Sequence, residues 1–425
     1  MTTRVHVVGG GLAGISAALE LADAGAEVSL HEAAPSLGGR CRSFHDPVLE
    51  REIDNGGHVV LSANAEVFGY LDRIGARGEL VGIEPAAFPF LDLATGERWT
   101  IRPNAGPIPW WIMAPGRRVP GTRPSDYAEA LQLYFADARA RVADRLDPSG
   151  PLYQALWVPL ATAVLNTDPR EAAARPLAAI LAQTFGKGEA ACRPYVAAAG
   201  LSRAFVDPAL IALARAGVSV ERGRPLDAVD LWNGRATALH FADERVDCRD
   251  ACVLLALPPH AVRRLLPDLA LPAESSPIVN VHYRLDAPVE LPGGGPLLGL
   301  VGGHAQWLIA RGDVVSVTVS AAEDLVDRPS EVLAALLWRD VAPALGRPAL
   351  PVPPSRTIKE RRATLKLTPA QENRRPGPTT ATLNLFLAGD WTNTGVPPTI
   401  EGAIRSGRRA ARTILQGHPP DRAGD

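Results

Sequence analysis

Val5-His6-Val7-Val8-Gly9-Gly10-Gly11-Leu12-Ala13-Gly14 joins a short apolar run to a glycine-rich loop near the N-terminus. The apolar run is typical of a buried strand, and residues 15–24 carry apolar side chains at helical spacing. Gly25 ends that helix, and Ala26-Glu27-Val28-Ser29-Leu30 predicts a second strand with Glu32 near its end. The order strand, glycine loop, helix and strand predicts a β-α-β unit that binds a dinucleotide.

Each glycine of the Gly9-x-Gly11-x-x-Gly14 pattern has a separate physical task. Gly9 allows a tight turn, Gly11 lets the backbone approach a pyrophosphate, and Gly14 lets the helix pack closely on the strand. The helix N-terminus then offers unpaired N–H groups to the phosphates. Glu32 has the spacing of a carboxylate that binds ribose hydroxyls, which argues against NADP. The residues predicted to bind the dinucleotide here are Gly9, Gly11, Leu12, Ala13, Gly14 and Glu32.

Composition narrows the class of protein. The 425 residues include 44 Lys+Arg and 46 Asp+Glu, and this balance excludes the basic surface of a dedicated nucleic-acid-binding protein. Hydrophobic residues make up 46% of the chain, which is enough for a folded core. No run reaches the roughly 18 apolar residues of a spanning helix, and the N-terminus lacks a signal-peptide pattern. We therefore expect a cytoplasmic protein, and the sequence shows neither a metal-ligand cluster nor a Ser-His-Asp pattern.

Beyond the N-terminal unit, the chain alternates between two kinds of segment. Strands are predicted at Val218–Val220, Val314–Val319 and Leu385–Asp390. Helical runs are predicted near Tyr127–Arg145 and Glu171–Phe185, and helices near Ser330–Leu345 and Ile400–Leu415. We predict an α/β fold in which an α+β substrate domain is inserted twice into a discontinuous, Rossmann-like dinucleotide-binding domain. The predicted dinucleotide-binding parts are residues 1–78, 201–272 and 371–425, and the substrate-domain parts are residues 79–200 and 273–370.

Further motifs identify the dinucleotide. They are Leu37-Gly38-Gly39-Arg40, Asp54-Asn55-Gly56-Gly57-His58, Gly389-Asp390 and Thr399-Ile400-Glu401-Gly402-Ala403. Together with the N-terminal glycines they resemble the FAD-dependent amine oxidase and phytoene desaturase superfamily. The resemblance implies an FAD-binding domain of the glutathione reductase type, with FAD as the cofactor.

The resemblance also implies a role for individual positions. Arg40 would reach the pyrophosphate, and Asp390, which follows Gly389, would accept a hydrogen bond from a ribityl hydroxyl. The backbone at Leu226 would meet the adenine. The flavin ring would lie against the backbone of Gly56, Gly57 and His58. The helix that starts after Thr399, at Ile400, would point its N-terminus at the flavin N1–C2=O edge, where a helix dipole stabilises negative charge.

A closer resemblance extends along the whole chain. It is carried by Pro109-Trp110-Trp111, Arg117-Arg118-Val119-Pro120-Gly121-Thr122, Leu165-Asn166-Thr167, Asn280-Val281-His282, Gln306-Trp307, Lys359-Glu360-Arg361-Arg362-Ala363-Thr364 and Gly389-Asp390-Trp391-Thr392. These stretches are similar to the squalene-associated FAD-dependent desaturases, the hydroxysqualene dehydroxylases of hopanoid-producing bacteria. Many members of that family carry Gln or Asn where this chain has Gly57. The resemblance implies that reduced flavin N5 gives a hydride to an allylic carbon of hydroxysqualene, yielding squalene.

The candidates for substrate contact and proton donation follow from this chemistry. A long isoprenoid needs an apolar lining, and the candidates are Phe88, Phe90, Trp110, Trp111, Leu152, Tyr153, Leu156, Trp157 and Leu160. Loss of hydroxide needs a proton donor, for which His58 is the first candidate and His282 the second. The weaker candidates are Tyr283, Asn166, Gln306 and Arg311.

Three alternatives remain open from the sequence. The scaffold also suits a carotenoid-type desaturase or an amine oxidase, although the chain has only three lysines, among them Lys366. A prenyl-binding escort protein without catalysis is the third alternative. The electron donor cannot be named from the sequence. Residues 107–113 predict either a buried hairpin or an apolar ridge that contacts the inner face of the cell membrane.

Overall fold

A computed structural model describes residues 2–242, 244–347 and 351–417. Its strands are β1 Arg4–Val8, β2 Glu27–Glu32, β3 Ser43–Asp46, β4 Arg51–Asp54, β5 Val60–Leu61, β6 Leu80–Gly82, β7 Phe88–Asp92, β8 Arg98–Ile101, β9 Pro194–Ala197, β10 Ser219–Arg222, β11 Leu226–Trp232, β12 Arg235–Phe241, β13 Arg245–Asp247, β14 Ala251–Leu255, β15 Ser275–Arg284, β16 Leu297–Val301, β17 Trp307–Arg311, β18 Val314–Ser320, β19 Ser355–Leu365 and β20 Leu385–Leu387. Its α-helices are α1 Leu12–Asp23, α2 Ala65–Ile74, α3 Leu131–Tyr134, α4 Val158–Leu165, α5 Ala174–Gln183, α6 Glu189–Cys192, α7 Leu201–Phe205, α8 Asp207–Arg215, α9 Pro259–Leu265, α10 Ser330–Ala344, α11 Pro369–Glu372 and α12 Ile400–Leu415.

A parallel five-stranded sheet contains the N-terminal unit. Its strand order is β10-β2-β1-β14-β20, and every neighbouring pair is parallel. Parallel strands must be covered on both faces, which fits the burial of Val5, Val7 and Val8 in β1. The sheet recruits strands that are far apart in the chain, and the predicted α/β fold with a parallel sheet is confirmed.

Helices α1 and α12 pack directly against each other beside this sheet. Their contact is unusually close, because a Cβ atom at Gly407 in α12 would lie 2.0 Å from the carbonyl oxygen of Ala13 in α1. Ser16 reinforces the contact, since its Oγ donates to the carbonyl oxygen of Ile404 at 2.9 Å. The close approach holds the N-terminal ends of both helices in a fixed relation.

A mixed seven-stranded sheet forms the second layer, in the order β19-β15-β18-β17-β16-β7-β8. One face of it is aliphatic and, with Val281 and Val317 among its buried residues, packs on Leu337 and Trp338 of α10. Strand alternation places other side chains on the opposite face, including Asn280 and its register partner Thr318. This second face lies against the Gly56-Gly57-His58 segment.

The helical stretch predicted near Tyr127–Arg145 is broken into short pieces. A 3-10 helix over Pro124–Ala130 leads into the short α3, and the chain then turns. Asp137 explains the break, because its Oδ1 accepts from the backbone N–H of Arg139 at 2.7 Å, a local bond that competes with helix. The other three helices form at α5, α10 and α12, with α5 starting three residues later than predicted. The boundaries between the domains stay a prediction.

Candidate functional site

The phosphate loop lies between β1 and α1, and glycine is needed at its different positions for different reasons. Gly9 has φ +111°, and a Cβ there would lie 2.4 Å from the carbonyl oxygen of Ala256. A Cβ at Gly14 would lie 1.9 Å from the carbonyl oxygen of Gly9. Gly11 is the N-cap of α1 with φ −72° and no side-chain cap, and no atom lies within 4 Å of a Cβ built there. The loop therefore leaves open space at the exposed N–H groups of a helix start, which is what a phosphate needs.

Glu32 ties the end of β2 to this loop. Its Oε2 accepts from the backbone N–H of Gly10 at 2.6 Å, and its Oε1 accepts from the N–H of Ala34 at 2.7 Å. A carboxylate has about four acceptor positions, so two of them remain for ribose hydroxyls. The carbonyl oxygen of Glu32 also accepts from the N–H of Arg224 at 2.9 Å. The chain just before Leu226 therefore lies beside Glu32. The adenine contact of Leu226 stays a prediction, and its carbonyl oxygen already accepts from Arg264 at 3.1 Å.

Arg40 and Asp390 meet although 350 positions separate them. The Arg40 Nη2 atom lies 2.7 Å from Asp390 Oδ1, and Nη1 donates to the carbonyl oxygen of Ala363. Asp390 is buried, whereas the Arg40 side chain remains partly exposed. The pair thus presents a fixed guanidinium at the junction of the two layers, a suitable donor for pyrophosphate.

Arg375 holds the loop that carries Asp390. Its buried guanidinium donates to the carbonyl oxygens of Asp390, Thr392 and Val396, at 3.0, 2.6 and 2.9 Å. Glu372 balances the buried charge at 3.0 Å. Sequence reasoning missed this residue, because its partners are backbone carbonyls 15 to 21 positions away that carry no side-chain signal.

The N-terminus of α12 is built as predicted. Thr399 is its N-cap, and the Thr399 hydroxyl accepts from the N–H of Gly402 at 3.2 Å. The preceding N–H groups, at Ile400 and Glu401, belong to the first turn, whose donors have no partner inside the helix. The buried Glu401 carboxylate accepts from the N–H of Val67 at 3.0 Å, so it fixes α12 against the start of α2. This arrangement gives a positioned helix end that favours negative charge.

The Gly56-Gly57-His58 segment rests on the second sheet. The N–H of Gly57 donates to Asn280 Oδ1 at 3.3 Å, and the Thr318 hydroxyl donates to the same oxygen at 2.7 Å. A Cβ at Gly57 would lie 2.5 Å from Thr318 Oγ1. Thr318 thus fills the space in which a side chain at position 57 would stand, which explains how this chain accommodates glycine there. Asn280 was part of a recognised motif, but only the pairing of β15 with β18 gives it this role.

His58 and His282 differ in exposure. The ring of His58 is half-buried and has no hydrogen-bond partner among the described residues. Burial lowers the pKa of His58, the Asp54 carboxylate opposes this effect, and Arg40 adds to it. His282 is buried, its Nδ1 lies 2.7 Å from Ser316 Oγ, and burial lowers the pKa of His282 to about 4. Both catalytic assignments stay predictions, and of the two residues only His58 is partly exposed.

The weaker candidates are occupied with structural partners. The Tyr283 hydroxyl donates to the carbonyl oxygen of Ala334 at 2.7 Å, on the aliphatic face of the sheet. The same holds for Asn166 with Ser276 and Thr364, Gln306 with Ser320, and Arg311 with Asp54. Lys366 lies 2.7 Å from Glu171, so this lysine is neutralised by an ion pair.

A series of aromatic side chains crosses the substrate layer in two groups of ring contacts. Ring centroids of Trp111 and Phe185 are 6.2 Å apart, those of Phe185 and Phe88 6.0 Å, and those of Phe90 and Trp307 5.4 Å. Phe88 and Phe90 project from the same face of β7. Trp307 is the register partner of Thr318, which contacts Gly57. This aromatic series ends at the segment predicted to hold the flavin ring. Trp110 lies outside it, because half of its side chain is exposed.

Two features are absent from the described residues. No group of three or more His, Cys, Asp or Glu side chains in this part of the chain could hold a metal ion. None of its helices has the length and apolar character needed to cross a membrane.

Comparison with known proteins agrees with this geometry. The model of the family described as flavin containing amine oxidoreductase matches residues 12–415. Hydroxysqualene dehydroxylase from Sinorhizobium fredii is 43% identical over 416 residues, covering 98% of this chain and 99% of that protein. Hydroxysqualene dehydroxylase from Rhodopseudomonas palustris is 43% identical over 417 residues, with the same coverage. The structure of cyclohexylamine oxidase from Brevibacterium oxydans superposes with a TM-score of 0.67 at 15% identity, covering 98% of this chain and 99% of the other, which supports the fold.

The residues present fit FAD. The open space at Gly11 suits a phosphate, the two remaining acceptor positions of Glu32 suit ribose hydroxyls, and the first-turn N–H groups of α1 and α12 have no partner inside their helices. The predicted flavin cofactor is confirmed by the family match. The chain therefore belongs to the flavin containing amine oxidoreductase family and, within it, to the hydroxysqualene dehydroxylase family, and it is an FAD-dependent oxidoreductase.

Proposed function

We propose that this enzyme replaces the allylic hydroxyl of hydroxysqualene by hydrogen, giving squalene for hopanoid synthesis. Full-length similarity to two proteins named hydroxysqualene dehydroxylase supports the substrate. The observation that carries the proposal is the aromatic series from Trp111 to Trp307, which ends beside Gly57. These rings are buried or half-buried, so a long hydrocarbon that packed against them would gain free energy by leaving water.

The reaction needs three contributions, and the protein supplies two of them. When bound and reduced, flavin supplies the hydride. The protein must give a proton to the hydroxyl, so that the carbon–oxygen bond breaks and water leaves, and it must hold the allylic carbon still. The aromatic series would also keep bulk water away from the carbon that loses the hydroxyl.

His58 is the proposed proton donor. It belongs to the segment that contacts the second sheet, and its half-buried ring is not engaged by another described side chain. Burial lowers the pKa of His58, so its protonated form gives up a proton more readily, while a smaller share of the ring is protonated at neutral pH. Buried His282 is the second group to test.

The experiment is anaerobic and follows both partners of the reaction. Chemically reduced enzyme is mixed with hydroxysqualene, flavin oxidation is followed by absorbance, and the lipid product is identified by mass. We expect one squalene per flavin oxidised, and we expect His58→Ala to slow flavin oxidation by roughly 10²–10⁴-fold.

His45→Ala is the matched control, because His45 is exposed on β3 and should leave the rate unchanged. Squalene formed by oxidised enzyme without an electron source would refute the reductive reaction. A normal rate in His58→Ala would remove His58 as the acid and leave the reaction itself standing.

A further inference from the structure

An apolar ridge, defined here as residues 107–113, projects from the substrate layer. The exposed fractions of Ile108, Trp110 and Met113 are 75%, 51% and 65%. Large apolar side chains that cluster on a surface indicate a contact with another apolar phase. The predicted buried hairpin is therefore wrong for this segment, except at Trp111, which is buried.

The ridge is held in shape from below. The buried Asn104 side chain donates to the carbonyl oxygen of Ile108 at 2.9 Å and accepts from the N–H of Trp111 at 3.0 Å. The ring of Trp111 packs on Tyr127 with centroids 5.4 Å apart. These contacts hold Ile108, Trp110 and Met113 outward, so their exposure is a property of the folded loop.

The surroundings of the ridge are cationic. From residue 98 to residue 125 the chain contains five arginines and no Asp or Glu. The Arg117 guanidinium lies 5.0 Å from the ring centroid of Trp110, and Arg102 is exposed. Exposed Lys187 adjoins the same region, because Gly188 packs on the backbone of Gly106.

We infer that the ridge docks on a lipid bilayer whose surface carries anionic headgroups. Trp side chains favour the interface between water and hydrocarbon, and exposed apolar residues ringed by arginine match a negatively charged membrane surface. Cationic side chains beside the ridge, among them Arg117, Arg102 and Lys187, have a complementary charge on an anionic bilayer, which a neutral protein partner would not provide.

The docked face also adjoins the aromatic series. Trp111 follows Trp110 directly in the chain and begins the aromatic series that ends beside Gly57. This inference rests on the proposed function for its consequence, namely that an isoprenoid alcohol dissolved in the bilayer passes to the flavin without crossing water.

The first experiment measures binding to vesicles without substrate. The FAD-loaded enzyme is floated with vesicles of phosphatidylcholine alone, or of phosphatidylcholine and phosphatidylglycerol in equal parts. We expect binding to the anionic vesicles, weakened about tenfold to hundredfold by the combined change Ile108→Ser, Trp110→Ser and Met113→Ser. The matched control is Leu231→Ser with Trp232→Ser, because these residues are 48% and 71% exposed at the tip of the β11–β12 hairpin, and it should bind as wild type.

A charge variant tests the cationic rim separately. Arg102→Gln with Lys187→Gln should weaken binding to anionic vesicles about fivefold for each charge and leave binding to neutral vesicles unchanged. The inference would be overturned if the wild-type enzyme did not bind anionic vesicles, or if the ridge variant bound them as tightly as wild type. It would also be overturned by a ridge variant that only converts a dimer to a monomer, since the ridge would then contact a second copy.

A turnover measurement separates this inference from the proposed function. The turnover rate of the ridge variant should equal that of wild type on detergent-dispersed hydroxysqualene. It should be lower than that of wild type on hydroxysqualene held in anionic vesicles. If wild type converts neither form while still binding vesicles, the proposed function fails and the docking surface stands.

Discussion

The contact between α1 and α12 predicts the effect of one added methyl group. In Gly407→Ala the new Cβ would lie 2.0 Å from the carbonyl oxygen of Ala13 and 3.1 Å from the backbone nitrogen of Ala17. Real Cβ contacts are essentially never shorter than 3.0 Å, and the opposing atoms are backbone. The two helices would therefore have to separate by about 1 Å in a densely packed interior.

The magnitude follows from two opposing effects. Overpacking of this kind costs about 3 kcal/mol at the upper end of its usual range. Replacing Gly by Ala inside a helix returns about 1 kcal/mol, so we expect a net loss near 2 kcal/mol in the free energy of unfolding. Because α1 begins at the phosphate loop, the same displacement should weaken the hydrogen bonds that it offers to FAD.

The assay compares Gly407→Ala with Gly69→Ala, which places the same methyl group at an exposed position of α2. The nearest atom to that Cβ is Nη1 of Arg408 at 3.7 Å, an ordinary contact. Urea unfolding followed by fluorescence should show Gly407→Ala less stable than wild type and Gly69→Ala more stable by about 1 kcal/mol. Retained flavin is read from absorbance. If Gly407→Ala were as stable as Gly69→Ala and fully loaded with FAD, the close helix contact could not be correct.

Three further predictions concern single side chains. Gly11→Val should purify folded but without flavin, because its side chain would occupy open space needed by the pyrophosphate; a fully yellow variant would contradict this. Glu32→Ala should keep the fold and weaken FAD binding by about 1.5–3 kcal/mol, measured by flavin titration, and unchanged affinity would exclude Glu32 from the site. The pKa of His282 is about 4 in the folded protein, against about 6.5 when unfolded. Unfolded chains therefore gain its proton first, and stability is lost as the pH falls from about 6.5 towards about 4. His282→Asn should reduce the loss of stability between about pH 8 and about pH 5 by roughly 2 kcal/mol, and an unaltered pH profile would contradict that assignment.

Local sequence determined the parts of this protein whose physical cause is local. The phosphate loop depends on Gly9, whose φ is +111°, and on Gly14, where a Cβ would collide with the carbonyl oxygen of Gly9 five positions earlier. Helix α12 was predicted at its observed bounds, because its apolar spacing and its Thr399 cap both lie within one short segment of the sequence. The family motifs indicated that the dinucleotide is FAD, because they contain the residues predicted to surround it.

The tertiary structure alone decided which distant residues meet. Arg40 contacts Asp390, and Arg375 supports the loop that carries Asp390. No local sequence pattern marks the partners of these two arginines. The helical stretch predicted near residues 127–145 is interrupted after Tyr134, where a side-chain bond of Asp137 competes with helical bonding. The role of Thr318 beside Gly57 depends on strand register and on the packing of one layer on the other. Such contacts are set by the packing of the whole chain, which no segment encodes by itself.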